Sequence, residues 1–512
     1  GCILRVQGRR RRRQAELCAV MQKTMYFDRF GKKNLAAVVE AGKLVEFHAD
    51  DVTENEKAGN IFKGRVVNVL AGMQAAFVAY GGEKNGYLAA GDMPAEADAV
   101  LPAELNVKPG DIVMVQLSKA PIGTKGARLT MNLSFVGKNL IYLPSAPFCA
   151  ISRKITDEET RERMLGWAKK LAPEGGVILR TQAEGVRFSL LKEELRTLRR
   201  LYEDALENFG RAAVGECVFR EGDLHARLLR DFDLTGVDKI YVGDAQAYAR
   251  AEKLFASARS GLKNKLVRYT GDREMLEYFG LEKQLCALTD RRVELESGAY
   301  LVIDKTEALT AIDVNTGKFT GETGLEDTVF RTNLLAAREI ARQVRLRNIG
   351  GIVVVDFIDM EREEHRAAVT EELAACLRED RAQCNVFPMT GFGLVQFTRK
   401  KTKCDNMTVL AKPCPYCGGA GTVPSDEFLA FRIQSALKKC FAEGYANAVV
   451  ELNAGLYAYI VSTRRFSDLV RGEWREKRVY MIPHRTYHEE QFNVRGDNNR
   501  ILDLPETAKL LY

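Results

Sequence analysis

Two apolar runs in this chain end in residues that could bind a metal and act on a phosphate. In "TAIDVNTGKFTG" (310–321), Asp313 and Asn315 stand two apart at the end of a hydrophobic stretch. In "GGIVVVDFIDM" (350–360), Asp356 and Asp359 close the run. Side chains alternate along a strand, so Asp313 and Asn315 share one face. Open α/β sheets bind ligands at the carboxyl ends of their strands. Two acids brought together there repel each other unless a cation lies between them. An oxygen donor set with no nearby His favours Mg²⁺ or Mn²⁺ over zinc. Asp313 would then hold metal, and the Asn315 amide would donate to a phosphate or orient a metal-bound water. The competing reading is local: Asp and Asn form turns and caps for their own backbone, and Asp359 pairs with an Arg such as Arg362.

A second group is "CPYCGG", with Cys414 and Cys417 at metal-ligand spacing. A structural zinc needs four ligands. No His is close in sequence and Cys404 stands alone, so a second chain would complete a shared Cys₄ site. A redox pair or two inert thiols are the alternatives; a redox pair opens a helix, whereas glycines follow here. A third group interleaves rings and cations: Phe77 and Tyr87 on strands, with Lys63, Arg65, Lys84 and Lys125 nearby. Stacked bases and a cation-lined backbone track are what single-stranded nucleic acid requires. Equally, both rings fit a barrel core.

The elements that must position these groups follow from periodicity. The opening basic stretch fits poorly with the strand, turn at Gly42 and strand that follow it. It reads as a disordered arm or as upstream sequence from too early a start. Short apolar runs with Gly-bearing turns over 60–130 predict a small barrel. "ITDEETRERMLGWAKKL" predicts a helix with Thr156 as N-cap, and "KEELRTLRRLYEDALENF" a strongly amphipathic one. From 215 onward strands and helices alternate, an α/β pattern. The continuous Val/Ile run before Asp356 predicts a strand buried on both faces.

The bulk numbers set limits. A chain of 512 residues implies about two to four domains. No run of about 18 apolar residues predicts a membrane span, and no apolar h-region marks a secretory signal. A net charge of +7 leans mildly toward a polyanionic partner. Eleven scattered Cys fit a reduced, cytoplasmic protein. No G-x-x-x-x-G-K-[ST] loop supports a nucleotide-binding metalloenzyme.

"LTAIDVNTGKFTG", "NLLAAREIARQVRLRNIGGIVVVDFIDM", "GFGLVQFTRKK" and "CPYCGGAGTV" together resemble the ribonuclease E/G family of bacterial endoribonucleases, from about Met21 to the C-terminus. The absence of a long acidic, Pro-rich scaffold tail suits the ribonuclease G-like branch. The resemblance implies an α/β multidomain protein. A split RNase H-like domain would occupy 21–55 and 226–288, with 1–20 a basic arm. An S1-type OB barrel would span 56–131, a 5′-monophosphate sensor 132–225, and a DNase I-like catalytic domain 289–410. A zinc link would span 411–424 and a small dimerising domain 425–512. It implies Mg²⁺ on Asp313 and Asp356, catalysis by these with Asn315, and zinc on Cys414 and Cys417 shared between chains. RNA contacts fall on Phe77, Tyr87, Lys125 and Arg153. The sensor falls on Gly137, Ile141, Arg180 and Thr181, where Ile141 replaces the family's usual Val. Arg180 is a planar fork suited to phosphate oxygens, and Thr181 adds a hydroxyl donor. The implied activity is Mg²⁺-dependent hydrolysis of single-stranded, AU-rich RNA, leaving 5′-phosphate and 3′-hydroxyl ends. It would serve rRNA and tRNA processing and mRNA decay, in a homodimer or a tetramer. A non-catalytic RNA-binding factor is the rival from another class.

Overall fold

The computed structural model describes residues 23–51, 56–94, 106–121, 126–146, 148–172, 175–232, 234, 236–257, 261–317, 325–401, 405–499 and 504–511. Lys125, Cys404 and the basic N-terminal stretch lie outside the described residues. The chain forms two compact units, divided after Leu410.

The first unit opens with a mixed five-stranded sheet. Lys23–Phe30, Lys33–Glu40 and Lys43–Asp51 form an antiparallel meander. Its second turn holds Ala41 at φ +47° and Gly42 at φ +77°, the left-handed pair that a tight hairpin requires. Lys239–Val242 then pairs parallel to the first strand, and Leu266–Arg268 parallel to that. Both faces of this sheet are covered. One packs on the helices Leu224–Asp231 and Ala245–Ser257 through Met25, Phe27, Val38 and Ile240. The other packs Tyr26, Ala37, Leu44 and Phe47 on Met275, Leu281, Leu288 and Leu346.

Between these segments lie two further bodies. Ile61–Leu70, Ala75–Ala79, Gly86–Ala89, Arg128–Thr130 and Ile112–Lys119 close into a five-stranded barrel, because the first strand also pairs with the last. A four-stranded sheet follows, with Leu140–Leu143 and Gly176–Leu179 at its centre. The helices Glu158–Leu171 and Phe188–Arg211 pack on it. The N-cap of the first helix is Asp157, not Thr156: the Asp157 carboxylate accepts from the Thr160 N–H at 2.9 Å. Either residue type suits a cap, and the acceptor one position later meets the orphan N–H.

The last part of this unit is a mixed six-stranded sheet. Its core pair is Leu309–Asn315 and Gly351–Asp356, parallel and joined by the helix Leu325–Arg347. Tyr300–Lys305 and Leu394–Arg399 flank that pair, both antiparallel. Ile312, Val314, Val353, Val355, Val395 and Phe397 pack on this helix and on Glu363–Arg378. The opposite face is open: Ala311, Asp313, Ile352, Asp356 and Gln396 are exposed. The expectation that the Asp356 strand is buried on both faces is therefore corrected, since both helices lie on one side. The Val/Ile run suits a half-covered strand because Ile352 sits 50% exposed on the open side.

The second unit holds the strands Phe492–Asp497, Asn447–Asn453, Arg478–His484 and Lys509–Leu510 in that order, with the helices Asp426–Ala442 and Ala454–Ser462 packed on them. No helix among the described residues is long and apolar enough to cross a membrane.

Candidate active site

The two central strands run parallel with Asp313 opposite Asp356. Strands lie about 4.8 Å apart, so the carboxylates are neighbours on the open face. Partial burial, and then the charges of Asp313 and Asp359, push the Asp356 carboxyl above its ordinary range. The Asn315 amide donates to Asp313 Oδ2 at 2.8 Å, which fixes that carboxylate. These residues, with Thr316 and the 356–359 backbone, line a cleft of about 320 Å³. Among the described residues Asp359 makes no ion pair with Arg362. The strand stops at Asn315 because Gly317 turns with φ +58°; a Cβ there would lie 2.3 Å from the Gly298 carbonyl.

Residues that the sequence did not single out hold this rim in place. Asn333 is fully buried on the helix below and clamps the loop after Asp356 from both sides. Its amide donates to the Ile358 carbonyl at 2.8 Å, and its oxygen accepts from the Ile358 N–H at 3.2 Å. Glu326 accepts from the N–H groups of Glu361 and Arg362 and pairs with His365 Nδ1 at 2.9 Å. An apolar helix face with one buried amide was the available signal, and periodicity alone does not report what such an amide bonds.

Phe77 and Tyr87 are register partners on the barrel, in edge-to-face contact at 6.1 Å. Their neighbours Ala76, Val78 and Leu88 fill the barrel core, so both rings face outward. Lys63 does not join them: its ammonium donates to the Phe209 and Ala212 carbonyls at 2.9 Å, at the C-terminal end of a helix. Arg180 donates to the Gly137 carbonyl at 2.6 Å and pairs with Asp231 at 2.9 Å. Ile141 lies beside Gly137 on the neighbouring strand, paired with Val136 and Ile178. The Thr181 hydroxyl contacts Ser152 Oγ at 2.8 Å, next to the exposed Arg153. Sequence reading missed Asp231, whose charge offsets part of the Arg180 guanidinium.

In the second unit, Cys414 and Cys417 are free thiols in a turn with Gly418, Gly419 and Gly421 all at positive φ. Backbone N–H groups of Gly421 and Gly419, and then Cys414, draw the Cys417 thiol below its ordinary range. The Gly421 N–H lies 3.3 Å from Cys417 Sγ. Among the described residues no group of three or more His, Cys, Asp or Glu is placed to hold a metal. Each candidate centre therefore offers two protein ligands.

Fold and site define a class: a mixed α/β protein with paired strand-end carboxylates over an open cleft and a closed β-barrel in the same unit. The Ribonuclease E/G family model matches residues 134–402. Ribonuclease G of Haemophilus influenzae is 35% identical over 471 residues, covering 90% of this chain and 96% of that protein. Ribonuclease G of Escherichia coli K12 is 38% identical over 408 residues, 78% of this chain and 83% of that protein. Ribonuclease E of Synechocystis is 35% identical over 398 residues, 76% of this chain and 59% of that protein. The chain belongs to the ribonuclease E/G family.

Proposed function

We propose that this protein is a metal-dependent endoribonuclease acting in RNA processing and decay. Its substrate would be single-stranded, AU-rich RNA, with a preference for 5′-monophosphorylated ends. The observation that carries this reading is the side-by-side placement of Asp313 and Asp356 on an open sheet face, in a chain of this family. The donors fit a hard divalent cation: oxygens only, two acids in register, and a raised Asp356 carboxyl whose repulsion a cation would relieve. Two carboxylates leave the remaining Mg²⁺ positions to water and phosphate. Bound there, Mg²⁺ or Mn²⁺ would polarise the scissile phosphate and activate water. Asn315 spends one amide N–H on Asp313 and keeps its second for a phosphoryl oxygen. Cleavage would leave 5′-phosphate and 3′-hydroxyl ends.

The barrel would serve as an S1-type RNA platform, with Phe77 and Tyr87 as stacking rings and Arg153 as a backbone contact. Lys125 would join them. Arg180 would read a 5′-monophosphate, oriented by Gly137 and Asp231, with Thr181 and Ile141 shaping the pocket. The split N-terminal sheet would be the RNase H-like domain and the six-stranded sheet the DNase I-like domain. The two thiols suit half of a Cys₄ zinc site, because backbone N–H groups already favour the thiolate at Cys417. A partner chain would supply the other half in a dimer. Metal analysis should give about one zinc per two chains; one per chain contradicts the shared site. The activity is tested with a fluorescent 5′-phosphorylated oligoribonucleotide. Cleavage with Mg²⁺ and none with EDTA supports the reading, and binding without cleavage points to the non-catalytic alternative.

A further inference from the structure

Beside the carboxylates stands a side chain that the reaction as described does not use. Phe392 is 86% exposed, more than any other large hydrophobic side chain among the described residues. Its position is built rather than accidental. The turn is closed by Thr390 N–H to the Leu394 carbonyl at 2.8 Å and Gly393 N–H to the Thr390 carbonyl at 3.1 Å. The Thr390 hydroxyl accepts from the Leu394 N–H at 3.2 Å. Gly393 adopts φ +77°, and a Cβ there would lie 3.2 Å from an Asp359 carboxylate oxygen. The turn thus presses its Gly393 backbone against Asp359 and leaves the adjacent Phe392 ring in solvent. Leu394 is the register partner of Asp356. Two residues of chain span at most about 7 Å, so the Phe392 backbone lies within that reach of the Leu394 backbone that pairs with Asp356.

We propose that Phe392 stacks on a nucleobase flanking the scissile phosphate and so positions the strand for cleavage. The inference rests on the endoribonuclease reading and extends it to substrate choice. An apolar ring left in water on a turn that abuts Asp359 has little to cover it among the described residues. A phosphodiester drawn to Asp313 and Asp356 through a cation carries a flat, apolar base face alongside. Stacking on a ring tolerates any base, because every base has a π-face. A base inside a duplex already has both faces covered, so the ring selects unpaired strands at the cut itself, separately from the barrel.

The test compares the full-length protein with Phe392→Ala, Phe392→Leu and Phe392→Trp on a 5′-monophosphorylated oligoribonucleotide with Mg²⁺. The same oligonucleotide is also made with single abasic positions on either side of the cut. The Ala and Leu variants should lose about 5- to 150-fold in kcat/KM, the factor for stacking one base, while Trp stays within about threefold of the parent. One abasic position should cost the parent the same factor and cost Phe392→Ala nothing more. Thermal unfolding of Phe392→Ala should match the parent. Equal kcat/KM for Ala and parent overturns the inference, as does a loss that every abasic substrate shares equally, or a lowered unfolding temperature. A parent that cuts no RNA overturns the endoribonuclease reading and this inference with it, whereas a cutting parent and an unimpaired Ala variant remove only the stacking.

Discussion

Two of the mixed sheets in the first unit solve opposite problems. The N-terminal sheet is packed on both faces, and its central strand Lys23–Phe30 buries four consecutive residues, Thr24 to Phe27. The sheet that carries Asp313 and Asp356 is packed on one face only, and its strand Leu309–Asn315 alternates buried and open positions along its length. Covering both faces makes a scaffold; leaving one bare lets acids meet solvent, metal and substrate without being desolvated. The two sheets are tied together by charge. Arg345, on the helix Leu325–Arg347, donates to Glu46 at 2.8 Å and to Glu40 at 3.0 Å on the N-terminal sheet. Arg381 and His48 complete the ring around Glu46 at 2.6 and 3.0 Å.

The contrast can be broken on either side. On the open face, Asp313→Asn should lower cleavage by about 10³-fold, since several kcal/mol of metal-borne stabilisation is lost at 1.36 kcal/mol per factor of ten. RNA binding and unfolding temperature should persist, read by fluorescence anisotropy and calorimetry; full activity would remove Asp313 from the site. On the closed sheet, Glu46→Gln should cost about 3 kcal/mol, because the charge at the buried Glu46 position is lost and the half-buried Arg345 is left short of a counter-charge. Burial alone would raise the Glu46 carboxyl, but the His48 hydrogen bond and the charges of Arg381, His48 and Arg345 hold it well below the carboxylate range. The sign follows: its stabilisation is complete above its unfolded pKa of about 4.3 and fades as pH falls below that. Urea unfolding at neutral and acidic pH should show this acid sensitivity in the parent and a flatter profile in Glu46→Gln.

Between the two faces, Asn333→Ala should cost about 1–3 kcal/mol, since both backbone groups of Ile358 lose their partner. The loop below the acids would loosen, so kcat should fall while KM holds; an unchanged kcat would separate the clamp from catalysis. The smallest effect belongs to the bare face. Ile352→Ala should stay within about 0.5 kcal/mol in urea unfolding. Its covered counterpart Ile312→Ala should cost about 2–5 kcal/mol. Similar losses at both positions would show that something covers the open face.

These sheets also show what sequence conveys. The segment 23–50 reads only as strand, turn and strand, yet both its faces are buried, because the helices that cover it come from beyond residue 220. The Val/Ile run before Asp356 reads as doubly buried, yet one face is open, because both neighbouring helices pack on the same side. Local pattern gives strand identity and length; coverage depends on distant segments. The acids and Asn315 were legible because chemistry and strand period act locally. Asn333, Asp231 and Phe392 were not: an amide on a helix, an acid at a helix end and a Phe between glycines gain meaning only from what the fold brings to them.

The N-terminal sheet has a consequence for biosynthesis. Its central strand, Lys23–Phe30, pairs along one edge with Lys239–Val242, which emerges from the ribosome more than 200 residues later. At about 5–20 residues per second, that edge waits for on the order of ten to forty seconds with its N–H and C=O groups unpaired. Meanwhile the barrel and the sheet after it can complete themselves. The nascent chain thus carries an exposed strand edge as a transient hazard for pairing with other chains, and a chaperone that shields it would act before Asp313 and Asp356 have been made.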